Sequence, residues 1–145
     1  MLTAKEIPAW MEKKMADNHF MNVAAIKLSK VECGYCEMVM HTDPAIHGNR
    51  YGAVHGGALF TLADSAMGVV GYSIGCKVVT LSSSINFIRN TMEKENILAK
   101  AYLVHAGHST LVVRVEEFDH MGRKMVDLTG TMFVIGHFDE IPQKW

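Results

Sequence analysis

Apolar and polar positions change their spacing several times along the chain, and each change marks an element. Trp10, Met11 and Met15 follow Pro8 at helical spacing, which predicts a short helix from Pro8 to about Asn18, packed as a lid or flank. From Val23 the stretches AAIKLSKV and YCEMVM are short apolar/polar runs parted by Glu32, Cys33 and Gly34, which reads as two strands and a tight turn. HTDPAIHGNRYG gathers Pro, Gly, Asp and Asn, so Met40 to Gly52 reads as an irregular loop, a kind of segment that often carries function. HGGALFTLADSAMGVVGYS then places Leu59, Phe60, Leu62, Ala63, Ala66, Met67, Val69 and Val70 on all sides of about four helical turns, a buried helix. Four strand-like runs follow: KVVTLSSSINFIR, NILAKAYLVHA, STLVVRVEEF and KMVDLTGTMFVIGHF. Their joins, Asn90 to Glu95, Ala106 to His108 and Asp119 to Gly122, are short enough for antiparallel neighbours.

The element order is therefore helix, two strands, one central apolar helix, four strands. A helix hydrophobic on every side needs cover on every side, and an antiparallel sheet of about six strands supplies it by curling around the helix. The expectation is an α+β fold in a single domain over residues 1–145. One sheet face and the sheet edges remain for a partner subunit, so the chain is expected to form a homo-oligomer.

Composition narrows the class. The 145 residues carry 14 Lys+Arg against 15 Asp+Glu, a formal charge of -1, with no basic run to neutralise phosphates, so nucleic acid is not an expected partner. Hydrophobic residues make up 49% of the chain, far from the signature of disorder. Cys33, Cys36 and Cys76 are too few and of the wrong parity for a disulfide scaffold, which points to a reducing compartment, the cytoplasm. Lys5, Glu6, Glu12, Lys13 and Lys14 interrupt the N-terminal stretch where a signal peptide needs an apolar run. Asp64 and many Gly, Ser and Thr residues split Tyr51 to Cys76, so no membrane span is expected there.

Candidate chemistry centres on Asp64, the one Asp, Glu, Lys or Arg between Arg50 and Lys77, in the middle of the apolar helix. An unpartnered carboxylate there loses several kcal/mol on desolvation, so the fold must supply hydrogen bonds, subunit dipoles or a wet cleft. Its bland role is a helix or subunit contact; its functional role is a general base or nucleophile. His55-Gly56-Gly57 sits at the expected N-terminus of the same helix, where the first N–H groups lack intrahelical partners and suit a developing oxyanion. A helix cap beside flexible glycines explains the same tripeptide. Cys33 and Cys36 have CxxC spacing with His41 and His47 beyond, yet an extended backbone puts the two thiols on opposite faces, so packing is the simpler account and no metal is expected.

Asn49, Gly52, His55-Gly56-Gly57 and Asp64 in this spacing, followed by Val79-Thr80 and the run of strands, resemble the PaaI-like hotdog-fold acyl-CoA thioesterases over nearly the whole chain. The resemblance implies a long helix inside a curved antiparallel sheet, active sites between two protomers, and hydrolysis of acyl-CoA to a free acid and CoA without metal or redox cofactor. It assigns Asp64 the role of the acid that attacks the thioester carbonyl or activates water, and Gly57 that of the N–H donor to the thioester oxygen. His55 and Asn49 match polar residues that shape the pocket, and Thr80 a hydroxyl residue near the acid. Gly107, His108, Ser109 and Thr110 match a turn lining the coenzyme A channel, with Gly56, Ser82 and Phe87 as further substrate contacts. The family's habit is a homotetramer, a dimer of dimers. Where the family commonly has a proline after the Phe-containing strand, this chain reads Phe87-Ile88-Arg89-Asn90. Two rivals stay open: a hotdog enoyl-CoA hydratase and a non-catalytic acyl-CoA sensor. Phe60, Met67 and Tyr72 are the expected determinants of pocket depth.

Overall fold

Pro8 stands in the first turn of α1 (Ile7–Ala16), where its missing N–H leaves no bond unmade, and Ile7, Met11 and Met15 turn inward at helical spacing. The computed structural model describes residues 1–145. The helix ends sooner than the pattern predicts. Asn18 instead caps a second helix, α2 (His19–Val23), accepting from the Met21 N–H at 3.1 Å; five residues are too few to show a period in the sequence.

The hairpin of β1 (Ile26–Glu32) and β2 (Tyr35–His41) closes through Gly34, whose φ of +76° favours glycine. The segment read as an irregular loop holds one helical turn, α3 (Pro44–His47), and an isolated bridge between Gly48 and Val54. The central helix α4 (Gly56–Ser73) follows, then β3 (Cys76–Phe87), β4 (Asn96–Ala106), β5 (Thr110–Phe118) and β6 (Lys124–His137). The six strands form one antiparallel sheet in the order β1-β2-β4-β5-β6-β3, and α4 packs against all of them. This is the α+β hotdog arrangement, a sheet curled around one helix.

Two expectations need correction. The short join from β3 to β4 does not link neighbours: β3 pairs with β6 at the sheet edge and β4 pairs with β2 and β5, so residues 88–95 carry the chain past β6 and β5 instead of turning back as a hairpin. Nor is α4 covered on every side. Leu59, Leu62, Ala63, Ala66, Met67 and Val70 are buried, but Gly57, Thr61, Asp64, Ser65, Gly68 and Tyr72 form a stripe left wholly or partly open. Asp64 is thus half-buried, and the desolvation expected of a fully buried carboxylate does not apply to it.

Inside, Met67 reaches the sheet where Gly130 has no side chain; a Cβ at Gly130 would lie 2.3 Å from the Met67 sulfur. The Trp145 indole N–H donates to the Ser73 carbonyl at 2.6 Å and ties the chain's end to the end of α4. No helix is long and apolar enough to cross a membrane.

Candidate active site

Asp64 projects from the open stripe of α4 toward the start of β3. The Thr80 hydroxyl donates to its Oδ1 at 2.6 Å, and Oδ2 carries no protein partner. Thr80 is aimed by the strand itself: the β3–β6 register slips between Thr80 and Ser82, a bulge that redirects a side chain at a sheet edge. The pair stands at the polar end of a cleft of about 430 Å³ whose remaining wall includes Met15, Met21, Gly68, Val69, Tyr72 and Met132. Of the three side chains expected to set pocket depth, only Tyr72 lines this cleft. Met67 is fully buried in the core, and Phe60 packs at its margin.

A second cluster forms at the N-terminus of α4. His55 is the N-cap, its Nδ1 accepting the Gly57 N–H at 2.8 Å, so that nitrogen is unprotonated and the other one carries the ring hydrogen of the neutral imidazole. The Gly56 N–H, at the first helical position, has no partner within the chain. Gly56 is also where the Phe87 ring sits: a Cβ there would lie 3.2 Å from the ring. Asn49 accepts from the Tyr51 and Ala53 N–H groups at 2.8 and 3.1 Å, shaping the loop before the helix. Asn49, Gly56, Phe87 and Arg89 line one shallow cleft of about 340 Å³.

This cluster is braced from below. Asn90 donates to the Val54 carbonyl, and the Val54 N–H bonds the Thr91 carbonyl. Thr91 and His120 in turn hold the Glu95 carboxylate, at 2.6 and 2.8 Å. The Glu95 bond holds His120 above the usual histidine range. His47 is structural as well: it accepts from the Asp43 N–H and donates from Nε2 to the Ala24 carbonyl at 2.6 Å.

The remaining residues singled out in the sequence lie apart. Gly107 and His108 line a different cavity with Cys76, Leu111 and His137, and Ser109 and Thr110 complete the β4–β5 turn beside it. Ser82 is exposed on β3, and neither it nor Phe87 reaches that cavity within one chain. Cys33 lies in the β1–β2 turn, not on an extended strand as expected, with its thiol donating to the Gln143 carbonyl at 3.5 Å; Cys36 is buried on β2 with its thiol toward the Ala66 carbonyl at 3.4 Å. Both are free thiols, and burial pushes the Cys36 thiol far up. No group of three or more His, Cys, Asp or Glu side chains stands close enough to hold a metal ion.

One carboxyl group escaped the reading of the sequence. Glu117 on β5 is wholly buried against the Ala63 backbone of α4, and neither of its oxygens has a hydrogen-bond partner. Burial raises it well above the usual carboxylate range, more than the nearby Ala63 amide lowers it. Its signal was present: Leu111, Val113, Val115 and Glu117 share one face of an alternating strand.

Spacing along α4 limits what one chain can do. Gly56, whose N–H is free, and Asp64 are eight residues apart, about 12 Å along the axis at about 1.5 Å per residue. One carbonyl group cannot touch both that amide and the carboxylate of the same helix.

Residues 51–126 match the model of the thioesterase superfamily. The acyl-coenzyme A thioesterase PaaI of Escherichia coli K12 is 30% identical over 88 residues, 61% of this chain and 63% of that protein. The structure of the E. coli PaaI protein superposes with a TM-score of 0.84 over 91% of this chain and 96% of that one, at 23% identity, a likeness of fold. A hypothetical thioesterase from Streptococcus pneumoniae TIGR4, solved with coenzyme A, is 35% identical and covers 85% of this chain and 98% of its own, with a TM-score of 0.78. Variants of that protein with a threonine or an aspartate changed to alanine have also been solved, the two positions sixteen apart, as Asp64 and Thr80 are here. By sequence match and by fold, the chain is a PaaI-like hotdog member of the thioesterase superfamily.

Proposed function

We propose that the protein hydrolyses acyl-CoA thioesters at a site shared by two copies of the chain. Asp64 and Thr80 come from one copy, the N-terminus of α4 and the Asn49 loop from the other. The observation that carries this reading is the Asp64 carboxylate, held through one oxygen by Thr80 and open to a cleft through the other. The separation of Asp64 from the α4 amides on one helix supports a second copy as their source.

In this site the Gly56 N–H, free at the positive end of α4, donates to the thioester oxygen as charge builds on it; the Gly57 N–H is held by His55 and joins only if that ring turns away. Asp64 Oδ2 takes a proton from water while the water oxygen attacks the carbonyl carbon, or attacks it directly to give an anhydride that water then opens. In either route the carbon–sulfur bond breaks and CoA leaves as its thiolate, a stable anion that needs little acid assistance. Asn49 shapes the loop that presents the amides. Ser82, Phe87 and the turn of Gly107, His108, Ser109 and Thr110 contribute as contacts to the CoA portion, reached across the subunit boundary. No metal or redox cofactor has a role in these steps.

Assembly draws on two features. β3 is a long sheet edge with unpaired backbone groups, and on the outer sheet face Val79 (47% exposed), Leu81 (59%), Phe133 (42%) and Ile135 (61%) form an apolar patch. Together they support a dimer or a dimer of dimers. The three free thiols fit a cytoplasmic protein.

The test is thiol release from a panel of short, medium, long and aryl acyl-CoAs by the unaltered protein and by Asp64→Asn. Release that the variant loses while keeping its melting temperature is the expected result. No release from any substrate, or equal release by both proteins, overturns the reading in favour of a binding protein.

A further inference from the structure

Gly68 lies one turn beyond Asp64 on the open stripe of α4, and nothing in the chain explains why it is a glycine. A glycine inside a helix is less stable than alanine there. A Cβ built at Gly68 meets no atom within 4 Å, and its φ is not in the left-handed region, so neither packing nor backbone geometry within the chain requires it. Gly68 lines the Asp64 cleft, and an absent side chain there leaves a channel running along α4 away from the carboxylate.

Asp64, Ser65 and Thr80 form the polar wall of the channel on one side, and Val69, Tyr72, Met132, Met15 and Met21 a mainly apolar wall beyond them, with Asn18 beside Met21. Met15 and Met21 are buried and are also walls of a second cavity of about 290 Å³ between α1, α2 and β1. Flexible, unbranched methionines therefore form the partition between the cleft and empty space behind it. A cavity of about 150 Å³ accepts a benzene ring, so the cleft has room for a substantial apolar group; the space behind the methionines is walled also by the exposed Glu12, Asn22 and Lys27 and opens to solvent.

Resting on the function proposed above, we infer that the substrate's acyl chain lies along α4 from Asp64 over Gly68, and that Gly68 and the Met15–Met21 partition set the chain length accepted. The occupant is an apolar tail attached to a polar reacting group, which is the polarity of the channel itself. Gly68 gives the tail its width, and the methionines give it its end.

The experiment compares kcat/KM across straight-chain substrates from acetyl-CoA to palmitoyl-CoA for the unaltered protein, Gly68→Leu and Met21→Ala, with oligomeric state followed by sedimentation. Gly68→Leu is expected to lower kcat/KM by a factor that grows along the series, about fourfold for each methylene denied its contact. Met21→Ala joins the two cavities and is expected to move the optimum to longer chains. Should Met21→Ala fail to fold, Met15→Ala repeats that arm, and Gly68→Leu stands without it. Gly68→Ala adds a contact-free methyl group and is expected to raise the melting temperature by about 2–4 °C. Thiol release with a chain-length profile unchanged in every variant overturns this inference alone. Absence of release by the unaltered protein overturns the function on which it rests. A loss in Gly68→Leu equal at all chain lengths, with a dissociated oligomer, shows that a second copy fills the channel and also overturns the inference.

Discussion

Two carboxyl groups stand at the same level of α4, one on the helix itself and one facing it from the sheet, and the fold treats them differently. Asp64 faces a cleft, keeps part of its surface in solvent, and accepts a hydrogen bond from the Thr80 hydroxyl. Glu117 approaches from the sheet at Ala63, is fully enclosed, and has no partner on either oxygen. Depth of burial alone thus fails to pick out the reacting acid. What distinguishes Asp64 is one carboxyl oxygen held by a donor and a second left open toward a space that a substrate fits. Glu117 has the deeper site and none of that access, so its burial favours the neutral acid and offers no route to a thioester.

The largest effect that can break this contrast is at Asp64. Asp64→Asn keeps the size of the side chain and can still bond Thr80, but removes both the base and the nucleophile. Turnover is expected to fall by about 10³-fold or more, within the range for losing a positioned base, with the melting temperature little changed. Acyl-CoA hydrolysis measured by thiol release checks the first part and a thermal melt the second. Retained turnover in Asp64→Asn beside a loss in Glu117→Met would reverse the assignment of the two acids.

Glu117→Met is expected to do the opposite, leaving turnover intact and stabilising the fold. An unsatisfied polar group in a core costs about 1–3 kcal/mol, and methionine fills similar volume without it. The effect depends on pH with a definite sign. Because the folded-state pKa of Glu117 is raised, its contribution to stability is fully present below the unfolded value, about 4.3, and is lost as pH rises through the folded value. The gain from Glu117→Met is therefore smallest near the unfolded pKa and grows as pH increases. Asp127, which Arg114 and Lys124 hold down at about 2, gives stability that is lost only in stronger acid, and it affects both proteins alike. Denaturant unfolding of both proteins across this pH range reads the difference directly; a gain that shrinks with rising pH contradicts a neutral Glu117.

The two acids also differ in how legible they were. Asp64 stood out because its helix is otherwise uncharged from Arg50 to Lys77, and the curled sheet followed from the need to cover that helix. Glu117 was hidden in RVEEF, where two acids in a row read as a solvated face although only Glu116 points outward. The strand's alternation separates them, but alternation states which face and not whether a partner waits there. The order of strands was illegible for another reason: a short join suggests a hairpin, and the pairing of β3 with β6, the last strand in the chain, leaves no mark in the spacing of either strand. The open stripe on α4 was missed because Gly, Thr and Ser read as neutral in a hydropathy pattern, so a cleft floor and a helix-packing face look alike in sequence. Of the two roles weighed for His55-Gly56-Gly57, the cap is what the chain itself forms, and the oxyanion site belongs to the proposed function.

The smallest of these effects separates holding the acid from being the acid. Thr80 donates to Asp64 Oδ1 and is here a positioning residue, so its removal leaves the base in place but free to rotate. Thr80→Val keeps the branched shape suited to a strand and deletes the hydroxyl; kcat is expected to fall by about tenfold, equivalent to about 1.4 kcal/mol at the transition state, with KM nearly constant. Thr80→Ser restores the hydroxyl and is expected to recover most of the loss. The split between kcat and KM matters because a residue that merely supported the edge of β3 would lower stability and leave the serine and valine variants alike. Equal kcat in Thr80→Val and Thr80→Ser would show that the hydroxyl does not orient the carboxylate, and the contrast with Glu117 would then rest on access to the cleft alone.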